Sequence, residues 1–193
     1  MKYTESQLEK SFIHLLKSEG YEYVKGKEVF RASGREVLIR EDLSAFLLSR
    51  YPDLETIEME TLINELAYQP ASSLYDSNKY IGKLLADGLI FKRNDRSKKD
   101  LHIRYIDIDP ESLLNSNRFK IVNQLEIQGK ELRIPDLILY INGIPVVVFE
   151  FKTTIEEEIT IYDAYKQLSI RYRRDIPELM KYNAFCIDRK SVV

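Results

Sequence analysis

Three charged residues interrupt two apolar runs late in the chain. The stretch Leu132 to Thr154, LRIPDLILYINGIPVVVFEFKTT, holds the runs 137–141 and 146–149, joined through Asn142-Gly143. Both runs are short, rich in β-branched residues and bounded by turn formers, so both predict strands. Asp136 stands at the entrance of the first, and Glu150 and Lys152 at the exit of the second. Side chains alternate along a strand, so Glu150 and Lys152 share a face while Phe151 points to the other. Two carboxylates and an ammonium converging on a sheet edge suit Mg²⁺, which takes oxygen ligands and is commonly held by one or two carboxylates plus substrate phosphate. Such an ion polarises a phosphoryl group and helps ionise water, while a neighbouring lysine orients the attacking water. A solvated ion pair at a strand end, worth about 0–1 kcal/mol, fits the same spacing equally well.

Whether Asp136 joins the other two depends on the turn. A two-residue loop of Asn142 and Gly143 pairs Ile141 with Ile144, sets Asp136 opposite Phe149 and turns it away from Glu150. A three-residue loop, or one bulge, restores the parity. Pro145 cannot donate a ladder hydrogen bond, which favours an irregular start to the second strand, and the expectation is an odd loop.

Pro135-Asp136, thirteen residues, then Glu150-Phe151-Lys152 resembles the PD-(D/E)XK nuclease signature. The signature alone is short and degenerate. The surrounding RIPDLILYINGIPVVVFEFKTT, the downstream AYKQLSIRYRRDIPELMKYN and the opening YTESQLEKSFIHLLKSEGYEYVKGKEV together resemble the N-terminal nuclease domain of the R (restriction and translocation) subunit of type I restriction enzymes. The resemblance covers both ends of the chain, with a less distinctive middle from about residue 40 to 101.

The resemblance implies an α/β fold with a PD-(D/E)XK restriction-endonuclease-like core: a mixed central sheet flanked by helices, one domain over 1–193, and a helical insertion at about 40–90. It implies Mg²⁺-dependent hydrolysis of DNA phosphodiester bonds, with Asp136, Glu150 and the Phe151 carbonyl as metal ligands and Lys152 at the water. Glu9, from the first helix, would complete the site. A later helix in this class carries a Gln, here Gln167, and usually a Tyr four residues on; here Arg171 stands at that position and Tyr172 lies five residues on. Implied partners are double-stranded DNA and the methylation and specificity subunits. ATP would serve only translocase domains that follow in the family, so the chain reads as a piece of a longer one. Two other readings stay open: a non-catalytic DNA-binding or docking module that keeps the nuclease fold, and an unrelated α/β domain with surface ion pairs.

The elements that must position these residues follow from periodicity. Thr4 and Gln7 fit a capping box for a helix over 5–19, with Leu8, Phe12, Leu15 and Leu16 on its core face. Residues 21–24 extend after Gly20, and helices are expected at 41–50, 56–67 and 77–86, the last capped by Gly88 before a strand at 89–91. Residues 93–100, RNDRSKKD, read as a solvated loop. Strands at 101–108 and 119–127 would form an antiparallel meander leading to Asp136. A helix over 159–173 places Tyr162, Tyr165, Leu168 and Tyr172 on one side; a short helix at 178–182 and a buried strand at 184–187 end the pattern, and the acidic run at 156–158 reads as solvated.

Composition sets the bounds. With 193 residues, 44% hydrophobic and 31% charged, the chain suits one soluble domain of ordinary size. A single cysteine, Cys186, excludes an internal disulfide and a multi-cysteine metal site and points to a reducing cytoplasm. No apolar run is long enough for a membrane span, and no Gly-rich phosphate loop is present. Neither His14 nor His102 has a spacing partner for zinc. The net charge of -2 does not favour nucleic acid, but phosphates respond to charge within about 10 Å. Lys166, Arg171, Arg173, Arg174 and Lys181, set against Asp163, Asp175 and Glu178, make the segment around them the best candidate for a DNA-facing surface, with Arg171, Tyr172, Arg173 and Arg174 as its contacts.

Overall fold

The computed structural model describes residues 4–152 and 166–190. Helix α1 (Glu5–Ser18) begins as its sequence dictates: the Gln7 backbone N–H donates to the Thr4 hydroxyl, and the Thr4 N–H donates to the Gln7 side chain. Strand β1 (Glu22–Lys25) follows, then α2 (Arg40–Arg50), α3 (Thr56–Ala67) and α4 (Leu74–Asp87), which starts three residues before the expected Ser77. Gly88, at φ 74, closes α4. Strands β2 (Leu89–Phe91) and β3 (Leu101–Ile103) pair antiparallel in a small sheet of their own. The expected strand at 101–108 thus stops early and does not join a meander with the central sheet. The short α5 (Leu113–Ser116), β4 (Phe119–Asn123), β5 (Ile127–Gln128), β6 (Leu132–Arg133), β7 (Leu137–Ile141) and β8 (Ile144–Lys152) complete the first part.

The expected helix start at Ile159, the rings of Tyr162 and Tyr165, Asp163 and the acidic run at 156–158 lie outside the described residues. Beyond them the chain is helical: a π-helical segment, Gln167–Tyr172, runs into α6 (Arg173–Asp175), followed by α7 (Pro177–Met180) and β9 (Phe185–Lys190). The last strand was expected to be buried and to end near residue 187. Among the described residues it is instead an edge strand reaching Lys190, paired with β8 alone, and Phe185 is 68% exposed.

The central sheet is mixed, in the order β1-β4-β7-β8-β9, with parallel outer pairs and antiparallel inner ones. Alternation along β8 divides its environment. Phe149 and Phe151 meet Phe12 of α1, with ring centroids 5.2 and 5.6 Å away, while Glu150 faces Tyr172 on the opposite side. Helices α3 and α4 are fastened to the C-terminal segment. The buried Lys181 ammonium donates to the carbonyls of Ala67 and Gln69, and the Asn78 amide donates to those of Lys181 and Asn183. The loop at 93–100 is not wholly solvated, since the Arg93 guanidinium is 1% exposed and bonds Glu58 and Asp53. A buried guanidinium of this kind needs its carboxylates, because an unpaired one would carry a large desolvation cost.

The turn between β7 and β8 differs from expectation in an instructive way. It is even, not odd: Ile141 pairs with Ile144 across Asn142 at φ 51 and Gly143 at φ 79, the left-handed pair that a tight hairpin requires. The turn is packed in place. A Cβ on Gly143 would lie 2.2 Å from the Ile39 carbonyl oxygen, and the buried Asn142 side chain accepts from the Arg118 N–H and donates to the Tyr105 carbonyl and Asn117. The parity is corrected inside the strand. Register jumps between Leu139 and Tyr140, which face Val147 and Pro145, so Val146 bulges out and Leu137 pairs with Phe149.

Candidate active site

The bulge decides which side chains can meet. With Leu137 opposite Phe149, the next step along both strands sets Asp136 opposite Glu150, on the face away from α1. Asp136 Oδ2 accepts from the Phe151 N–H at 2.7 Å, which ties the first carboxylate to the backbone of the strand that carries the second. Glu150 is only 2% exposed. Its Oε1 accepts from the Gln167 amide at 2.5 Å and its Oε2 from the Tyr172 hydroxyl at 2.9 Å.

The π-helical segment accounts for the latter pair. In an α-helix, residues five apart are rotated well away from one another, whereas a π turn closes on the fifth residue. Gln167 and Tyr172 are therefore brought to one face, where the Gln167 amide also donates to the Tyr172 hydroxyl at 3.1 Å. The five-residue spacing is read by the backbone as one turn. Tyr172 is 1% exposed. Burial, and then the negative charge of Glu150 and Asp136, pushes its hydroxyl pKa well above the ordinary value, so the group keeps the proton that it donates. Its hydroxyl thus faces the carboxylates from within, rather than lying open on a phosphate-facing surface.

Glu9 stands one amide away. Its Oε1 accepts from Asn123 at 2.9 Å, and the Gln124 amide lies 3.5 Å from its Oε2 and 3.4 Å from Asp136 Oδ1. Gln124 has φ 51, and its carbonyl is approached so closely by Gly26 that a Cβ there would lie 2.4 Å from the oxygen. Neither Asn123 nor Gln124 carried a sequence signal, since a polar residue at the end of a strand is common and its backbone angle is not written in its type. The backbone of Lys152 ends β8 beside Lys190; its side chain lies outside the described residues. Arg171 and Arg173 are exposed, and Arg174 is bound to Asp175, whose carboxyl is held well below the usual range first by Arg174 and then by Arg133. His102 bonds the Asp87 carbonyl and stands apart from the cluster.

The donor set fits a hard divalent ion. Among the described residues, no group of three His, Cys, Asp or Glu side chains could cage a metal on its own. What converges is one carboxylate pair on one strand face, beside the Phe151 backbone. That matches the habit of Mg²⁺, which retains waters and leaves positions for a phosphate.

A family model described as the type I restriction enzyme R protein N terminus matches residues 2–188. Over 200 residues, 98% of the chain, it is 30% identical to the type I restriction enzyme HindI endonuclease subunit of Haemophilus influenzae. Over 173 residues, 89% of the chain, it is 26% identical to the type I restriction enzyme SsaAORF53P endonuclease subunit of Staphylococcus saprophyticus. The matches span 18% and 17% of those relatives' own lengths.

Proposed function

Because the chain belongs to the family of the type I restriction enzyme R protein N terminus, we propose that it is a metal-dependent DNA endonuclease module. Its core would be of the PD-(D/E)XK restriction-endonuclease type, with α2–α4 as a helical insertion. The observation that carries this reading is the opposition of Asp136 and Glu150, brought about by the bulge at Val146 and braced by Gln167 and Tyr172. Asp136, Glu150 and the Phe151 carbonyl would hold Mg²⁺, which when bound supplies Lewis-acid polarisation of phosphoryl oxygen and a lowered pKa for water. Gln167 and Tyr172 fix the two oxygens of Glu150 so that it does not reorganise when charge develops. Lys152 orients the water. The water oxygen bonds to phosphorus as one P–O ester bond breaks; the water gives up one proton to solvent and the leaving alkoxide takes one up from solvent, leaving a phosphate monoester and an alcohol. The substrate would be double-stranded DNA, reached in an assembly with methylation and specificity subunits, and ATP would serve translocase domains rather than this module.

Plasmid nicking with and without Mg²⁺, comparing wild type with Asp136→Ala and Lys152→Ala, tests the chemistry. Nicking should require Mg²⁺ and be lost in both variants. A second readout does not depend on turnover: ligand binding to the folded state raises its stability, so Mg²⁺ should raise the melting temperature of wild type and hardly move that of Asp136→Ala. Nicking that survives in the variants, or equal thermal shifts, would place the metal and the chemistry elsewhere.

A further inference from the structure

A cleft of about 870 Å³ is lined in part by Arg173 and Arg174, which directly follow Tyr172 in the chain, and by none of the acids of the carboxylate cluster. One wall is the α3–α4 connection, with Tyr68 at its rim, 75% exposed. The other is made by the segment leading into α2, the β5–β6 turn and the start of α6. Its charge is lopsided. Five cations line it, Arg35, Arg40, Lys130, Arg173 and Arg174, against the carboxylates of Glu36 and Glu178. Both acids are already engaged, Glu36 with Arg40 and Glu178 with Lys181, and Arg174 is engaged by Asp175. Among the described residues, Arg35, Lys130 and Arg173 make no ion pair, and all three are exposed.

The backbone fixes two of these cations relative to the carboxylate pair. The Lys130 N–H donates to the Asp175 carbonyl at 2.7 Å, and a Cβ on Gly129 would lie 1.8 Å from that same oxygen, so only glycine lets the turn dock this closely. The Asp175 carboxylate binds Arg133 of β6 as well. The β5–β6 turn is thereby joined to α6, and Arg173 directly follows Tyr172, whose hydroxyl holds Glu150. Three unpaired cations lining one cleft, two of them tied through the backbone to the segment that holds Glu150, suit the negative charge of a nucleic-acid backbone.

We propose that this cleft binds the phosphodiester backbone of DNA flanking the cleaved bond, with Arg35, Lys130 and Arg173 as phosphate contacts. The position relative to the cleaved bond rests on the endonuclease reading; the binding itself does not. It also assigns a task to the α3–α4 connection, which supplies one wall.

The test is fluorescence anisotropy with a short labelled duplex of arbitrary sequence, titrated across a salt series in Ca²⁺ so that binding is read without turnover. The proteins are wild type, the triple variant Arg35→Ala/Lys130→Ala/Arg173→Ala, and a charge-matched control, Lys92→Ala/Arg96→Ala/Lys99→Ala, in and beside the polar loop. All six side chains are exposed, and thermal melting checks that each variant is folded. Each lost phosphate contact should flatten the slope of log K against log salt by about 0.9, so the cleft variant should bind roughly tenfold or more weakly, with a slope shallower by about 3. The control should retain wild-type affinity and slope. No binding by wild type, a cleft variant that matches wild type, or equal losses in both variants would overturn the proposal. Absence of Mg²⁺-dependent nicking alongside the expected binding pattern would sink the endonuclease reading and leave the phosphate cleft standing.

Discussion

Glu150 is braced on both oxygens by Gln167 and Tyr172, and the second brace works only while the tyrosine keeps its proton. Burial and the neighbouring carboxylates raise its pKa in the direction that secures this. Tyr172→Phe keeps the ring and its packing but removes the donor from a carboxylate that is 2% exposed. Hydrogen bonds to charged groups are worth about 1.5–3 kcal/mol, which corresponds to roughly ten- to hundredfold in rate where the bond matters most at the transition state. The expected outcome is a fall of at least about tenfold in the Mg²⁺-dependent nicking rate, with a higher half-saturating Mg²⁺ concentration and a retained fold. A variant with the wild-type rate and metal response would show that the hydroxyl is only a packing detail. At this scale the sequence was legible where charge broke an apolar run: Asp136, Glu150 and Lys152 stand out for that reason. Gln167, Tyr172 and Glu9 were legible only through the family resemblance, since a helix glutamine or glutamate is usually an exposed residue. Gln124 was not legible at all.

Two irregular elements bring the residues together, and neither is a defect. The bulge at Val146 moves Glu150 onto the face of Asp136, and the π turn moves Tyr172 onto the face of Gln167. Each adds one residue to a regular element. Deleting the exposed Ile170 tests the second: the segment should close as ordinary α-helix, with the glutamine and tyrosine now four apart and still facing Glu150. Nicking should stay within about threefold of wild type and the melting temperature should not fall, since an α turn has the better hydrogen-bond geometry. A folded deletion variant without nicking would mean that the π turn itself, beyond the pairing it produces, is required. The helices were legible because their period, caps and flanking prolines agree, as at Thr4 and Gln7 and at residues 56–67. The need for an odd residue in the hairpin was also legible, from parity and Pro145. Its place was not, because the burial of Asn142 and Gly143 under α2 and the Tyr105 segment is a tertiary contact that fixes the turn as even.

Across the whole molecule the mostly aliphatic core also encloses Tyr105, Tyr140, Tyr172 and Tyr182, and these make stability sensitive to alkali. Burial raises the pKa of Tyr105, Tyr140, Tyr172 and Tyr182 far above their ordinary value of 10.0. Three of them spend their hydroxyl protons on internal acceptors: Tyr105 on the Leu62 carbonyl, Tyr182 on the Leu66 carbonyl and Tyr172 on Glu150. Tyr182 and the Leu66 carbonyl lie 116 residues apart in sequence, and the cationic cleft gathers its lining from separate segments at 32–40, 67–74, 128–130 and 173–182, so no run of charge or periodicity announces either arrangement. Linkage fixes the sign. Above pH 10 the unfolded chain releases these protons while the folded chain retains them, so the unfolded state binds fewer protons and unfolding becomes easier as pH rises. The stabilisation is complete below the unfolded pKa and drains away above it, at about 1.4 kcal/mol per pH unit for each tyrosine that stays protonated in the fold. Urea unfolding followed from neutral pH to beyond pH 10 should therefore show a plateau and then a steep loss, shallower by one tyrosine's share in Tyr182→Phe. A midpoint that stays level through that range would mean that the hydroxyls reach solvent in the native state. In that case the carboxylate pair, which depends on Tyr172 for one of its braces, would also lie in a wetter and less ordered site than the packing around it implies.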